Sequence, residues 1–276
     1  MIYSIHMKKK LFYIFLLLFA GVACYMGWIP SSTKEGNVSE ETVASSVVKD
    51  DLDHIEIPKT PQGVSERILK KTNYTVSFNK KHNIPNWVAW HITSDELVER
   101  ESRTNDFQPD PELSTRDAVT TQDYVGSGYD RGHMCPAADN RYHWKAMNEC
   151  FYMTNMCPQH HHLNTGLWND LEQQCRRMVN SRNGVYVVCG PIVSSDASPR
   201  YIGRAHKVRV PDAFFKVILS GVEQGRPKGL AYIFDNEVTT GSLENYACTI
   251  DEVEEITGID FFHLLPDELE NKIEAR

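Results

Sequence analysis

Short apolar runs rich in β-branched and aromatic residues recur along the chain, separated by polar segments. Runs of this length and composition are typical of β-strands. The first two flank a polar segment that contains Asn83 and Pro85, so they predict a hairpin. The later runs are apolar enough to predict strands covered by helices. The predicted strands are Tyr74 to Phe78, Trp87 to Thr93, Gly184 to Val193, Ala213 to Ser220 and Gly229 to Phe234.

A helical period lies between the second and third of these strands. Leu167, Leu171, Cys175 and Met178 recur at helical spacing, which predicts a helix from about Thr165 to Val179. The segment "TIDEVEEITG" predicts a last helix, with Thr249 or Asp251 as its N-terminal cap and Gly258 as its end. Strands interleaved with packed helices predict an α+β fold with a central, mostly antiparallel sheet flanked by helices.

The charge of the chain is unevenly distributed, although 276 residues with 41% hydrophobic content and a net charge of -8 describe an ordinary globular protein. Ten acids and two bases lie between Leu243 and Arg276. The segment between Arg200 and Lys216 contains five basic residues and a single acidic one, Asp212. A polyanion could therefore bind along this basic track, with contacts from Arg204, Lys207 and Arg209. A solvated strand edge is an equally good interpretation.

The N-terminus resembles an export signal. Lys8 to Lys10 precede an apolar run that ends at Ala23, which predicts a signal peptide. Cys24 follows directly and suggests a lipoprotein site, whereas the continuation to Ile29 would suit an uncleaved membrane anchor. We therefore expect an exported protein, anchored in the cell envelope or released as a periplasmic or secreted form. Residues 30–61 are then a flexible polar linker, and residues 62–276 are the folded domain.

The cysteine content agrees with this expectation. If Cys24 is lipidated or removed, six of the seven cysteines are left, and they could form disulfides in an oxidising compartment. Their spacing does not determine a pairing, and small buried thiols are the alternative.

An acid, an arginine, a glycine and a histidine follow one another from Asp130 to His133. A histidine can take a proton from water near neutral pH, and a nearby carboxylate can orient its ring. Further along, Asn164 and Glu172 lie eight residues apart, which places them on similar sides of a helix, two turns apart. An amide oxygen and a carboxylate suit a largely hydrated Mg²⁺. Taken alone, composition and spacing favour the plainer interpretation, in which Asn164 is a helix cap and Glu172 an exposed helix residue.

Several motifs in order resemble one family. "YDRGHMCPAADN", "FYMTNMCPQ" and "LNTGLWNDLE" are similar to successive blocks of the DNA/RNA non-specific endonucleases, the ββα-metal group with a DRGH signature. The resemblance covers about Ile68 to Leu269. It implies a metal-dependent endonuclease that hydrolyses phosphodiester bonds in DNA and RNA without sequence specificity. It also implies 5′-phosphate products, and relatives often form homodimers.

The resemblance also implies roles for individual residues. His133 would be the general base, Asn164 the direct protein ligand of Mg²⁺ (or Mn²⁺), and Glu172 would hold metal-bound waters. Arg103 would stabilise charge on the phosphate, with Arg100 as a rival. Supporting roles fall to Asp130, Arg131 and Asn155.

Two other functions share the same scaffold. One is an inactive, tethered nucleic-acid-binding domain, and the other is a phosphodiesterase for smaller phosphate esters. The presence of every candidate site residue argues against the inactive binder. The neighbouring His160 to His162 are interpreted as a surface loop rather than a zinc site.

Overall fold

The apolar runs form β-strands that pair into one large antiparallel sheet and two short strand pairs. The computed structural model describes residues 54–180, 184–194 and 198–274. The strands are β1 (Arg67–Lys70), β2 (Thr75–Asn79), β3 (Ile84–Ile92), β4 (Asp130–His133), β5 (Met156–Gln159), β6 (Val185–Ile192), β7 (Tyr201–Ile202), β8 (Val208–Arg209), β9 (Ala213–Ser220), β10 (Lys228–Asp235) and β11 (Ala247–Cys248). The large sheet has seven strands in the order β1-β2-β3-β6-β9-β10-β11. The pairs β4 with β5 and β7 with β8 lie outside it.

The helices are short, and two of them follow one another around Gly166. A side chain at Gly166 would place its Cβ 2.6 Å from the carbonyl oxygen of His162, so the glycine permits the close turn. The predicted helix from Thr165 to Val179 is therefore split at its start. The described helices are α1 (Trp144–Glu149), α2 (His161–Thr165), α3 (Leu167–Met178), α4 (Ile250–Thr257) and α5 (Asp267–Glu274).

The predicted α+β fold is confirmed, and all five predicted strands are present within a few residues of their expected bounds. Every residue of β6 and β9 is buried, because helices and loops cover both faces of the central strands. Helix α4 begins and ends as expected. The Thr249 side chain accepts a hydrogen bond from the Glu252 amide, and Gly258 ends the helix with a φ of 69°.

The folded domain begins earlier than residue 62. Ile55 is 1% exposed, Lys59 forms a β-bridge with Asp260, and the Trp87 indole donates a hydrogen bond to the Thr60 hydroxyl. Residues 54–61 therefore pack against the domain, which corrects the predicted end of the linker. The predicted signal or anchor and the rest of the linker lie outside the described residues. No helix in residues 54–180, 184–194 or 198–274 is long and apolar enough to span a bilayer.

The expected disulfides do not form within the described chain, where all six cysteines are thiols. Five of these thiols lie in the core, which is the alternative that the sequence left open. They are Cys135, Cys150, Cys157, Cys175 and Cys189.

Candidate active site

The DRGH segment is strand β4, which pairs with β5 and is followed by helices α2 and α3. The register places Asp130 opposite Gln159 and His133 opposite Met156. Between them, a side chain at Gly132 would place its Cβ 2.6 Å from the Gln159 Cβ, so the glycine permits the close approach of Gln159. The strand pair and the helices thus form a ββα unit that brings Asp130, His133, Asn164 and Glu172 to one cavity.

His133 is held tightly by aromatic neighbours. Its ring is packed edge-on against Phe151, with centroids 5.0 Å apart, and tilted against Phe107 at 5.5 Å. The Trp168 indole donates a hydrogen bond to the His133 carbonyl oxygen at 3.3 Å. Side chain and backbone are therefore both fixed, and only 8% of the residue is exposed.

The imidazole of His133 is neutral at physiological pH. Burial lowers its pKa from 6.5 to about 3, and the positive charges of Arg103 and Arg131 contribute to the same shift. Its Nε2 atom is buried and has no hydrogen-bond partner within the described chain. Buried polar atoms are rarely left unsatisfied, so this nitrogen is suited to a water or a ligand that enters the cavity.

Asn155 fastens the loop that follows His133. Its amide oxygen accepts a hydrogen bond from the Cys135 amide at 2.9 Å. Its amide nitrogen donates to the carbonyl oxygens of Cys135 and Cys150, both at 2.8 Å. The side chain is fully buried, and these contacts fit the supporting role that was predicted for it.

Asn164 lies inside helix α2 and caps no helix, because His160 caps α2 and Gly166 precedes α3. Its amide nitrogen donates a hydrogen bond to Asp130 Oδ2 at 2.9 Å, and the same oxygen lies 2.8 Å from His161 Nδ1. The amide nitrogen is thus committed, which leaves the amide oxygen as the donor atom for a cation. This arrangement fits a hard divalent ion.

Glu172 lines the same cavity from the next helix. Burial raises its pKa to about 7, and the nearby ammonium of Lys216 opposes that rise more than any other charge. Glu172 Oε1 lies 4.0 Å from Lys216 Nζ. With the amide oxygen of Asn164, this carboxylate gives the cavity the two types of oxygen that hold Mg²⁺ and its waters.

Two arginines flank the histidine. The Arg103 guanidinium lies 5.2 Å from the Phe151 ring centroid, and that of Arg131 lies 4.4 Å from the Phe107 ring centroid. Both line the cavity, whereas the rival Arg100 does not. The structure therefore favours Arg103 over Arg100 for contact with a phosphate.

The cavity has a volume of about 520 Å³. It contains every predicted catalytic and metal-binding residue, and it adds five polar ones that were not predicted as site residues. These additional residues are Tyr124, Tyr129, Thr165, Asn169 and Arg176. Arg176 could have been found from its spacing, because it lies one helical turn after Glu172. The aromatic pair around His133 had no sequence signal, since Phe107 is in an irregular loop.

The basic track is not a continuous surface. Arg209 is 2% exposed and its guanidinium bonds to Asp212 Oδ2 at 3.1 Å, while Lys216 is fully buried. Arg209 is therefore a structural residue and not a contact for nucleic acid, which corrects the prediction. Arg204 and Lys207 are exposed on the β7–β8 connection, and nucleic-acid binding by these two stays a prediction.

The low pKa of His133 predicts a loss of stability in acid. The unfolded chain takes up a proton near pH 6.5 and the folded chain only near pH 3, so the stability is present above pH 6.5 and lost as pH falls towards 3. For this residue the free energy of unfolding should fall by about 3 kcal/mol between pH 6.5 and about pH 4. Urea unfolding of the wild type and of His133→Asn, which cannot titrate, measures the difference. Parallel pH dependences for the two proteins would contradict it.

The chain is similar to several nucleases. Nuclease EXOG of the mouse is 32% identical over 205 residues, covering 69% of this chain and 55% of the mouse protein. Human nuclease EXOG is 31% identical over 257 residues, covering 88% of this chain and 68% of the human protein. A crystal structure of an EndoG/EndoGI complex superimposes with a TM-score of 0.66 at 28% identity, over 73% of this chain and 87% of that one. The chain thus spans little more than half of the mouse relative and about two thirds of the human one.

The prediction of an exported, envelope-anchored protein is wrong. Both EXOG relatives carry names that place them in mitochondria. That prediction rested on the lysine-led apolar segment, which lies outside the described residues.

The match to the family extends over nearly all of the described domain. The family model described as DNA/RNA non-specific endonuclease matches residues 53–268, from just before the packed N-terminal segment into helix α5. It includes the ββα unit and the whole cavity. With a nuclease-like site in this fold, the chain belongs to the DNA/RNA non-specific endonuclease family.

Proposed function

We propose that this protein is a metal-dependent endonuclease that hydrolyses phosphodiester bonds of DNA and RNA without sequence specificity. One observation carries the proposal: a neutral imidazole at His133, whose Nε2 has no hydrogen-bond partner among the described residues, shares a cavity with the oxygens of Asn164 and Glu172. A base for water and a site for a divalent cation are the two requirements of this hydrolysis.

The base must work although its pKa is low in the free protein. Arg103 and Arg131 lower the proton affinity of His133 as long as their charges are uncompensated. A phosphate that enters between these guanidinium groups brings negative charge, so substrate binding raises the proton affinity of the imidazole. His133 then accepts the proton of the attacking water when the substrate is in place, and the aromatic pair keeps the ring in position.

The other residues of the cavity have complementary roles. Asn164 would hold a divalent cation and Glu172 would bind its waters, and the ion would supply positive charge to the scissile phosphate and the departing oxygen. We propose Mg²⁺ as this ion, with Mn²⁺ as a substitute. Asp130 orients the Asn164 amide by accepting its N–H. Arg103 adds charge to the transition state.

The proposal and its alternatives differ in a simple assay. Plasmid DNA, RNA and a small diester such as bis(p-nitrophenyl) phosphate are each incubated with the protein, with and without EDTA. The endonuclease should cleave both polymers and should cut circular plasmid at internal sites. Cleavage should stop when EDTA is added. Cleavage of the small ester alone would indicate a phosphodiesterase for small substrates, and binding without cleavage would indicate an inactive binder. A homodimer also stays a prediction, which sedimentation measurements test.

Replacing Arg103 by alanine should lower kcat by about 100-fold, in the range found when one preorganised donor is lost from a charged transition state. The matched control is Arg100→Ala, which removes the same side chain three residues earlier, outside the cavity. Cleavage rates with saturating plasmid and metal compare the two. A larger loss for Arg100→Ala than for Arg103→Ala would reverse the assignment.

A further inference from the structure

A lysine lies in the core behind the active site. Lys216 is in the middle of strand β9, where its neighbours are apolar, and it is fully buried. Its Nζ atom has no hydrogen-bond partner within the described chain. A buried ammonium without hydrogen bonds costs free energy, because the group has lost its hydration.

Aromatic faces and one carboxylate surround this ammonium. Nζ lies 4.0 Å from the ring centroid of Trp168 and 5.9 Å from that of Trp90. Glu172 Oε1 is 4.0 Å away, which is too long for a direct hydrogen bond. Indole rings stabilise a desolvated cation, but an apolar side chain of similar size would fill the same space at lower cost. Packing alone therefore does not explain a lysine at this position.

The position of Lys216 relative to the cavity suggests a role in acting on Glu172. Glu172 lines the cavity and Lys216 does not, so the carboxylate lies between the ammonium and the space where a cation would bind. Three other charged groups act on Glu172: Arg176 on its own helix, Asp139 in the turn of residues 137–140, and Arg103. Arg176 is already paired with Asp139 at 2.8 Å. Lys216 is thus the cation with the largest effect on Glu172, and among the described residues no carboxylate lies closer to its ammonium than Glu172.

We propose that Lys216 is a positioning residue, whose buried ammonium favours the anionic form of the Glu172 carboxylate at the cavity wall and thereby strengthens the binding of a hydrated divalent cation. The inference rests on the proposed function for its link to the cation, but the contact between the two side chains can be tested without one. The burial that raises the pKa of Glu172 to about 7 is the effect that Lys216 opposes.

The first experiment uses metal-free protein. The carboxyl carbon of Glu172 is followed by NMR during a pH titration of the wild type and of Lys216→Met, which conserves volume and removes the charge. The midpoint of the Glu172 titration should be higher in Lys216→Met than in the wild type by at least about one pH unit. The reason is that a charge at this distance in a buried site changes proton affinity by more than about tenfold. Lys228→Met, an exposed lysine on neighbouring β10, is the control and should leave the midpoint unchanged. An unchanged midpoint in folded Lys216→Met overturns the proposal.

The second experiment measures cation binding directly, with Mn²⁺ and electron paramagnetic resonance. Lys216→Met should weaken Mn²⁺ affinity about 10–100-fold, as is usual when an outer partner of a metal site is lost. Unaltered affinity in a folded variant also contradicts the proposal. If the wild type binds no Mn²⁺, the proposed function fails, while the metal-free titration still reports on Lys216 and Glu172.

A third variant keeps the test decisive if Lys216→Met folds poorly. If the single change destabilises the protein by leaving the Glu172 carboxylate buried without its cation, adding Glu172→Gln should restore most of the lost Tm. A double variant as unstable as Lys216→Met would show that Lys216 serves packing, and would overturn the positioning role.

Discussion

Replacing His133 by asparagine is expected to lower the turnover number for DNA cleavage by about 10²–10⁴-fold, the usual contribution of a positioned general base. Asparagine accepts no proton at neutral pH, so the attacking water would lose its base. Alanine is a poorer test, because His133 is packed against Phe107 and Phe151 and truncation would leave a void. His133 therefore contributes to packing as well as to the proposed chemistry.

The measurement is single-turnover cleavage of plasmid DNA at saturating metal, together with Tm and DNA binding. His162→Asn is a matched control, since His162 is exposed on the adjacent helix and does not line the cavity. It should cleave within about twofold of the wild type, because surface changes away from a site have small effects. Near-normal turnover by folded His133→Asn would remove His133 from the mechanism.

The second large effect is expected for Asn164→Ala, which should lose about 10³-fold in cleavage at every Mg²⁺ concentration. The change removes the proposed direct protein ligand, and an ion that stabilises the transition state contributes several kcal/mol. Glu172→Ala should behave differently. This change would loosen the water shell of the ion. The cleavage rate should therefore fall about 10–100-fold and should recover in part at raised Mg²⁺.

Mg²⁺ titrations of cleavage, combined with thermal melts, separate these outcomes. Asn169→Ala is the matched control, because this asparagine lines the same cavity but has no assigned role. A fully active Asn164→Ala would place the metal site elsewhere. The alternative that Asn164 merely caps a helix does not apply, since His160 occupies the capping position of α2.

Local signals in the sequence were sufficient for most of the fold. The run "AFFKVILS" is a strand because β-branched and aromatic residues favour extended backbone and burial. Helix α4 has the predicted limits because the Thr249 cap and the left-handed Gly258 act on their own neighbours. These features depend on a few adjacent residues, so the sequence alone contains the necessary information.

The candidate site was predicted only as a set of residues, and its members came from a resemblance in the order of motifs. Spacing left Asn164 open as a helix cap, and no pattern connected Phe107 to His133. These relations depend on contacts between segments far apart in the chain. Only the tertiary structure establishes them, by bringing β4, α2 and α3 to one cavity.

The sequence by itself determined the strand and helix segments, the α+β class and the family motifs, because each is written in neighbouring residues or in their order. Only the tertiary structure decided what the charged residues do. Arg209 and Lys216 are equivalent bases in a sequence count, yet Arg209 bonds to the partly exposed Asp212, whereas Lys216 lies over Trp168 beside Glu172. The physical reason is that the energy of a charged group depends on its burial and on its neighbours, and the fold determines both.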